Sequence, residues 1–180
     1  MENKINIPFP EPGEYPEYYA TYYKQINPQI HIFDMMETQC NRLIAAVSNL
    51  SQDKQHFRYA AGKWSVLEVL GHCIDTERIF GYRVLGFVRG ETQSLPGYDE
   101  NIYVAEGNFD QRSLESLLKE FNGLRQANLA LFESLCEDDY LKAGVANNKE
   151  MKVNALLYLI PAHLEHHLQI LKERYGINAV

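Results

Sequence analysis

The chain has 180 residues, 46% hydrophobic and 23% charged, which suits one domain spanning 1–180 with a sizeable core. Its 24 acidic against 17 basic side chains leave a net charge of −7, and no cluster of Lys and Arg is present, which argues against a nucleic-acid partner. The longest apolar run, 155–162, is far too short to cross a membrane, and the prolines that follow Met-Glu-Asn-Lys do not fit a signal peptide.

Residues 1–20, with Pro8, Pro10, Pro12 and Pro16, read as an extended N-terminal arm. Tyr15, Tyr18, Tyr19, Tyr22 and Tyr23 then follow at helical spacing, as a short lead-in packed on the rest of the chain rather than a binding surface. A first long helix is expected over 28–50, with Ile32, Met35, Met36, Cys40, Leu43, Ile44 and Val47 inward and Pro28 in its first turn. The second is announced by Ser65 with Glu68 three residues on, a capping box, and runs over 65–88. Residues 90–110 break the pattern with Gly90, Pro96, Gly97, Gly107 and Asn108, leaving room for a short helix near 98–103. A third long helix covers 111–134, with Asp110 or Ser113 near its cap. A fourth covers 154–175, closed by Gly176 and carrying Pro161. No alternating β-branched run with a hairpin turn stands out. The expectation is an all-α fold: a four-helix bundle with a short helical or irregular insertion between helices 2 and 3.

Three of the six histidines, His163, His166 and His167, fall within five residues of the last helix. At about 100° per residue, His163 and His167 stack one turn apart on its apolar side, and His166 swings about 60° away to the edge. Two inward imidazoles are costly to bury without a partner, and a metal ion suits both. His72, in the second turn of helix 2, lies at the border of that helix's apolar face. Three imidazoles from two helices would leave an open position for water or substrate, as in catalytic zinc sites; nickel, cobalt and iron accept imidazole as well. His163 with His166 is the geometric alternative. Asp75, Glu77 and Glu68 are read as solvated helix charges or as supports for the ligands. Tyr98, Asp99 and Tyr103 are candidates for the open face, and His31 and His56 read as ordinary, partly exposed residues. Cys40, Cys73 and Cys136 are widely spaced and odd in number, which suits reduced thiols in a cytoplasmic protein.

Lys63-Trp64-Ser65, Glu68-Val69-Leu70-Gly71-His72 and Asp75-Thr76-Glu77-Arg78 resemble the second helix of the DinB/YfiT-like metalloprotein superfamily. Leu95-Pro96-Gly97-Tyr98-Asp99-Glu100-Asn101 is similar to the segment after it in the DinB-like branch, and His163-Leu164-Glu165-His166-His167-Leu168-Gln169-Ile170 resembles the family's terminal histidine-rich pattern. The resemblance implies one divalent metal, zinc or nickel, held by His72, His163 and His167. It also implies a frequent homodimer and a transferase or isomerase chemistry using a low-molecular-weight thiol. Leu168 departs from it, standing where many members carry a polar residue. The expected function is a metal-dependent transfer of a small thiol to an electrophile. The alternatives are a metal-dependent hydrolase and a non-catalytic bundle with a structural metal. No catalytic acid or base is singled out.

Overall fold

The computed structural model describes residues 5–178. Its elements in order are a 3-10 turn, Glu17–Tyr19, α1 (Ala20–Tyr23), α2 (Ile32–Val47), α3 (Gln52–Gln55), α4 (Val66–Val88) and α5 (Glu100–Gly107). After a second 3-10 turn, Phe109–Gln111, come α6 (Leu114–Glu133), α7 (Glu137–Leu141), β1 (Ala143–Ala146), β2 (Lys149–Lys152) and α8 (Val153–Tyr175). The four long helices α2, α4, α6 and α8 form a four-helix bundle. In it α8 packs between α2 and α4, and α6 closes the ring against the same two.

Two apolar clusters fill the bundle, one at each end. The first takes Met36 of α2, Phe80 and Val84 of α4, Phe132 of α6 and Leu156 of α8. The second takes Leu43, Leu70, Leu117 and Leu171 from the same four helices. Following each helix from one cluster to the other shows that α2 and α8 run one way and α4 and α6 the other. The insertion between α4 and α6 therefore has to return the chain along the bundle before α6 begins.

Between the clusters lies a layer of buried polar side chains: Gln39 of α2, Thr76 and Glu77 of α4, Arg125 and Asn128 of α6, and His163 of α8. Arg125 is fully enclosed and is satisfied from three sides. Its Nε and Nη2 donate to the two oxygens of Glu77 at 2.8 and 2.7 Å, and its Nη1 donates to the Met36 carbonyl at 2.7 Å. Gln39 donates to the Pro161 carbonyl at 3.1 Å and ties α2 to α8. Glu77 is thus neither a solvated charge nor a support for a ligand, as its helix position allowed, but half of a buried ion pair.

The capping box forms as the sequence requires: Ser65 accepts from the Glu68 N–H and Glu68 accepts from the Ser65 N–H. Glu68 and Asp110 also pair with Arg58, which fixes the loop before α4. The first long helix begins at Ile32 rather than at Pro28. There His31 becomes its N-cap, accepting from the Phe33 N–H. The arm stays non-helical only to Pro16, since Glu17–Tyr19 already turns and Tyr23 is buried against the bundle; its first four residues lie outside the described ones. α8 runs unbroken through Pro161 and ends at Gly176 with φ 64°, the left-handed cap.

One element departs from the all-helical expectation. β1 and β2 form an antiparallel hairpin whose turn is Asn147-Asn148, at φ 50° and 56°. Asparagine tolerates that left-handed backbone better than most residues, and two in succession match a two-residue hairpin turn. At four residues per strand, the alternation is too short to stand out in the sequence. The hairpin pins the insertion loop, because the Leu95 N–H donates to Val145 O and the Asn147 N–H donates to Leu95 O, both at 2.9 Å. Gly97 then packs so closely on Asn147 that a Cβ there would collide with its side chain. Those contacts hold the loop over the middle of α4.

Candidate metal centre

The capped start of α4 sets His72 two turns into the helix, facing α8, and α8 presents His163 and His167 one turn apart on its inward side. The three rings meet. Nε2 of His163 lies 3.0 Å from Nε2 of His72 and 3.2 Å from Nε2 of His167, and ligating atoms of all three fall within 4.8 Å of one another. All are buried, at 6%, 9% and 7% exposure. Trp64 lies over His72 with ring centres 4.8 Å apart, and Phe80 meets His163 edge-on at 6.0 Å.

Burial disfavours the charged form of each ring. It pushes the His72 pKa down to about 4 and holds His163 and His167 well below their ordinary range, with the neighbouring imidazoles adding to the shift. At neutral pH three neutral rings therefore converge. A neutral imidazole nitrogen carries either one proton or one lone pair, so three meeting Nε2 atoms cannot all be satisfied by one another. One cation accepts a lone pair from each. A tetrahedral ion with bonds of about 2.0–2.1 Å sets its ligand nitrogens about 3.3 Å apart, close to the 3.0 and 3.2 Å that separate His163 Nε2 from the other two. Nδ1 of His167 is enclosed without a hydrogen-bond partner. That cost falls on His167 with or without an ion, so the fit rests on the Nε2 atoms.

The shifts carry a sign. A histidine that is neutral when folded and has an ordinary pKa of about 6.5 when unfolded lets the unfolded state take up a proton first, so stability falls as pH drops through that window. For His72 the window runs from about 6.5 down to about 4. The metal-free protein is expected to lose about 1 kcal/mol per pH unit per histidine there. Urea midpoints at pH 7.5, 6 and 5 would measure it, and constant midpoints would contradict the burial.

The cluster forms the floor of a cavity of about 460 Å³, with walls from α4, α8, the N-terminal tyrosines, the insertion loop and the hairpin turn. A larger cleft of about 850 Å³ lies between α2 and the start of α6, but it is wide and polar and holds none of the three histidines.

A model of the DinB superfamily matches residues 35–171. The chain belongs to the DinB superfamily. The match takes in all three histidines and all or most of each bundle helix. A relative from Oceanobacillus iheyensis, OB0413, which carries the provisional name of a metal-dependent hydrolase, is 23% identical over 138 residues, 76% of this chain and 79% of the relative. YfiT from Bacillus subtilis is described as a probable metal-dependent hydrolase with an unusual four-helix bundle topology. Its structure is similar with a TM-score of 0.72 over 97% of each chain at 18% identity; at that identity the likeness is one of fold.

Within this DinB-superfamily site, the other residues singled out in the sequence separate into two groups. His166 and Tyr98 line the cavity. His166 stands edge-on to Tyr22 at 5.0 Å, and Tyr98 pairs with the Thr76 hydroxyl at 2.7 Å. Asp75, Asp99 and Tyr103 do not line it. Asp75 faces the side of α4 where Arg78, Arg112 and Glu120 gather, and burial raises its pKa. Asp99 is the N-cap of α5, accepting from the N–H groups of Asn101 and Ile102. Tyr103 reaches the wall only through the ring of Tyr98, 5.0 Å away. Leu168 is buried in the second apolar cluster, which explains an apolar residue there.

Several cavity residues were not read from the sequence as site residues: Trp64, Phe80, Arg83, Glu100 and Asn147. Tyr18, Tyr19 and Tyr22 were read as packing alone. They do pack, and they also form one cavity wall.

Proposed function

We propose that this chain is a metal-dependent hydrolase in which His72, His163 and His167 hold one divalent ion, zinc or nickel, at the base of the cavity. The observation that carries the reading is the meeting of three buried, neutral Nε2 atoms on the floor of a cavity large enough for a small molecule. The names of OB0413 and YfiT support it. When bound, such an ion acts as a Lewis acid, polarising a carbonyl and lowering the pKa of water or of a thiol.

The remaining work falls to the chain's own side chains. Trp64 and Phe80 brace the rings of His72 and His163, so the lone pairs stay aimed at one point. Gln25 Nε2 donates to His166 Nδ1 at 3.4 Å, which leaves the proton of that ring on Nε2. His166 can then donate a hydrogen bond to a leaving group. Burial pushes the Tyr98 pKa up to about 12, so its hydroxyl stays protonated and serves as a donor rather than a base. The aromatic walls exclude water and strengthen each of these interactions.

A second reading, transfer of a small thiol to an electrophile, is favoured by one observation: among the described residues Glu100 is the sole carboxylate lining the cavity, and it is exposed. A thiol whose pKa is lowered needs no carboxylate base beside it. One experiment separates the two. The metal-loaded protein is given a panel of small esters and amides, and separately a thiol with a model electrophile. Hydrolysis above the uncatalysed rate, unchanged by added thiol, is expected. Conjugation without hydrolysis would replace the first reading with the second, and neither reaction would remove both.

A further inference from the structure

Arg83 sits on the inner side of α4, 5% exposed, and lines the same cavity as the histidines. Its guanidinium has few partners. Among the described residues, Nη2 donates to the Pro96 carbonyl at 3.1 Å and the group lies 5.9 Å from the Phe80 ring centre, while Nε is enclosed with no partner. None of these contacts is with a carboxylate. Arg125, the other buried arginine, shows what a structural role demands here: a two-pronged pair with Glu77 and a backbone carbonyl besides. A buried charge without an opposite charge is expensive, and the fold that satisfies Arg125 leaves Arg83 facing a cavity. Glu100, the acid on that cavity, is exposed and unpaired with it.

Phe80 fixes the spacing to the metal centre. Its ring lies 5.9 Å from the Arg83 guanidinium and 6.0 Å from the His163 ring. A molecule in the cavity can therefore lie across the Phe80 ring with one end at each group.

We propose that Arg83 is an anion anchor and that the substrate carries a free carboxylate, placed a few bonds from the group that reacts at the histidines. The planar guanidinium fork matches a carboxylate. Among the described residues no second Lys or Arg lines the cavity, so a phosphate dianion would be left half neutralised by them. The proposal rests on the reading of the histidines as the reacting centre, and its test is built to fail separately from that reading.

The probes are 3-phenylpropionate, its neutral amide and orthophosphate, titrated into metal-free protein. The chain has one tryptophan, Trp64, and it lines the cavity, so its fluorescence reports occupancy directly, with calorimetry alongside. The acid is expected to bind at least about tenfold more tightly than the amide. Arg83→Met should remove that preference, and Arg83→Lys should keep part of it. Zinc titration of each variant checks the histidines independently, and one equivalent retained by Arg83→Met shows that the site is still folded. If Arg83→Met does not fold, the acid–amide comparison in the wild type and in Arg83→Lys decides. Equal affinity for acid and amide, an unchanged preference in Arg83→Met, tighter binding of orthophosphate, or no binding of any probe would each overturn the proposal.

Discussion

Replacing His163 with alanine is expected to lower affinity for a divalent ion by more than about 100-fold, beyond the 10- to 100-fold that loss of a supporting partner costs. Its Nε2 lies within 3.2 Å of both other ring nitrogens, so it is the member the cluster shares. His72→Ala and His167→Ala should also weaken binding, since each leaves only two rings. The fold should survive, because His163 sits between two apolar clusters that do not need it. Metal-free His163→Ala should be no less stable at pH 5 than the wild type, having lost a ring that burial keeps neutral. Zinc calorimetry with circular dichroism on the same samples measures both effects. Wild-type affinity in His163→Ala would remove the cluster from the account.

The second large effect lies in the bundle's polar layer. Glu77→Ala leaves the Arg125 guanidinium enclosed with no carboxylate, keeping the Met36 carbonyl as acceptor and the face of the Phe121 ring. Removing one partner of a buried pair costs about 3–5 kcal/mol, whereas replacing both with apolar residues of similar volume is often neutral. Urea unfolding of Glu77→Ala should show that loss, and the double variant Glu77→Leu with Arg125→Met should recover most of it. Additive losses in the double variant, or a loss under about 1 kcal/mol in the single one, would contradict the pairing. Metal affinity should change little in either case, which separates the pair from the site.

The histidine trio was legible because helix geometry turns the spacing of 163 and 167 into adjacency, and Ser65 with Glu68 sets the phase of α4. The four amphipathic stripes were legible for the same reason: a 3.6-residue period survives whatever the partner helix is. What the sequence hid depends on pairing across distance. Glu77 and Arg125 stand 48 residues apart, and a helix wheel shows each only as a charge near an apolar face. A helix wheel shows Arg83 only as one more charge on the His72 side of α4. Its significance appears only when the neighbouring helices prove to offer it no carboxylate. The hairpin did leave a trace, the Asn147-Asn148 dipeptide between Val145 and Met151, but two strands of four residues do not carry a period. Asp75 and Asp99 show the converse: sequence proximity to His72 and Tyr98 does not place them in the cavity, because one turns to the outer face of α4 and the other is committed to capping α5.

The cavity is assembled from parts that single-helix reasoning treats separately. The tyrosines of the N-terminal lead-in, the loop pinned through Leu95 and the hairpin turn all converge above α4 and α8. Loops carried on a rigid bundle commonly set specificity, and here they surround a centre that the helices hold. Buried histidines aimed at one point, with a lone arginine across the ring of Phe80, give the cavity two chemically different ends.

The most direct measurement is the metal content of the protein after purification and after dialysis against zinc or nickel with removal of excess ion. About one ion per chain is expected, falling to none in His163→Ala. A wild-type chain that holds no divalent ion after loading would contradict the metal centre.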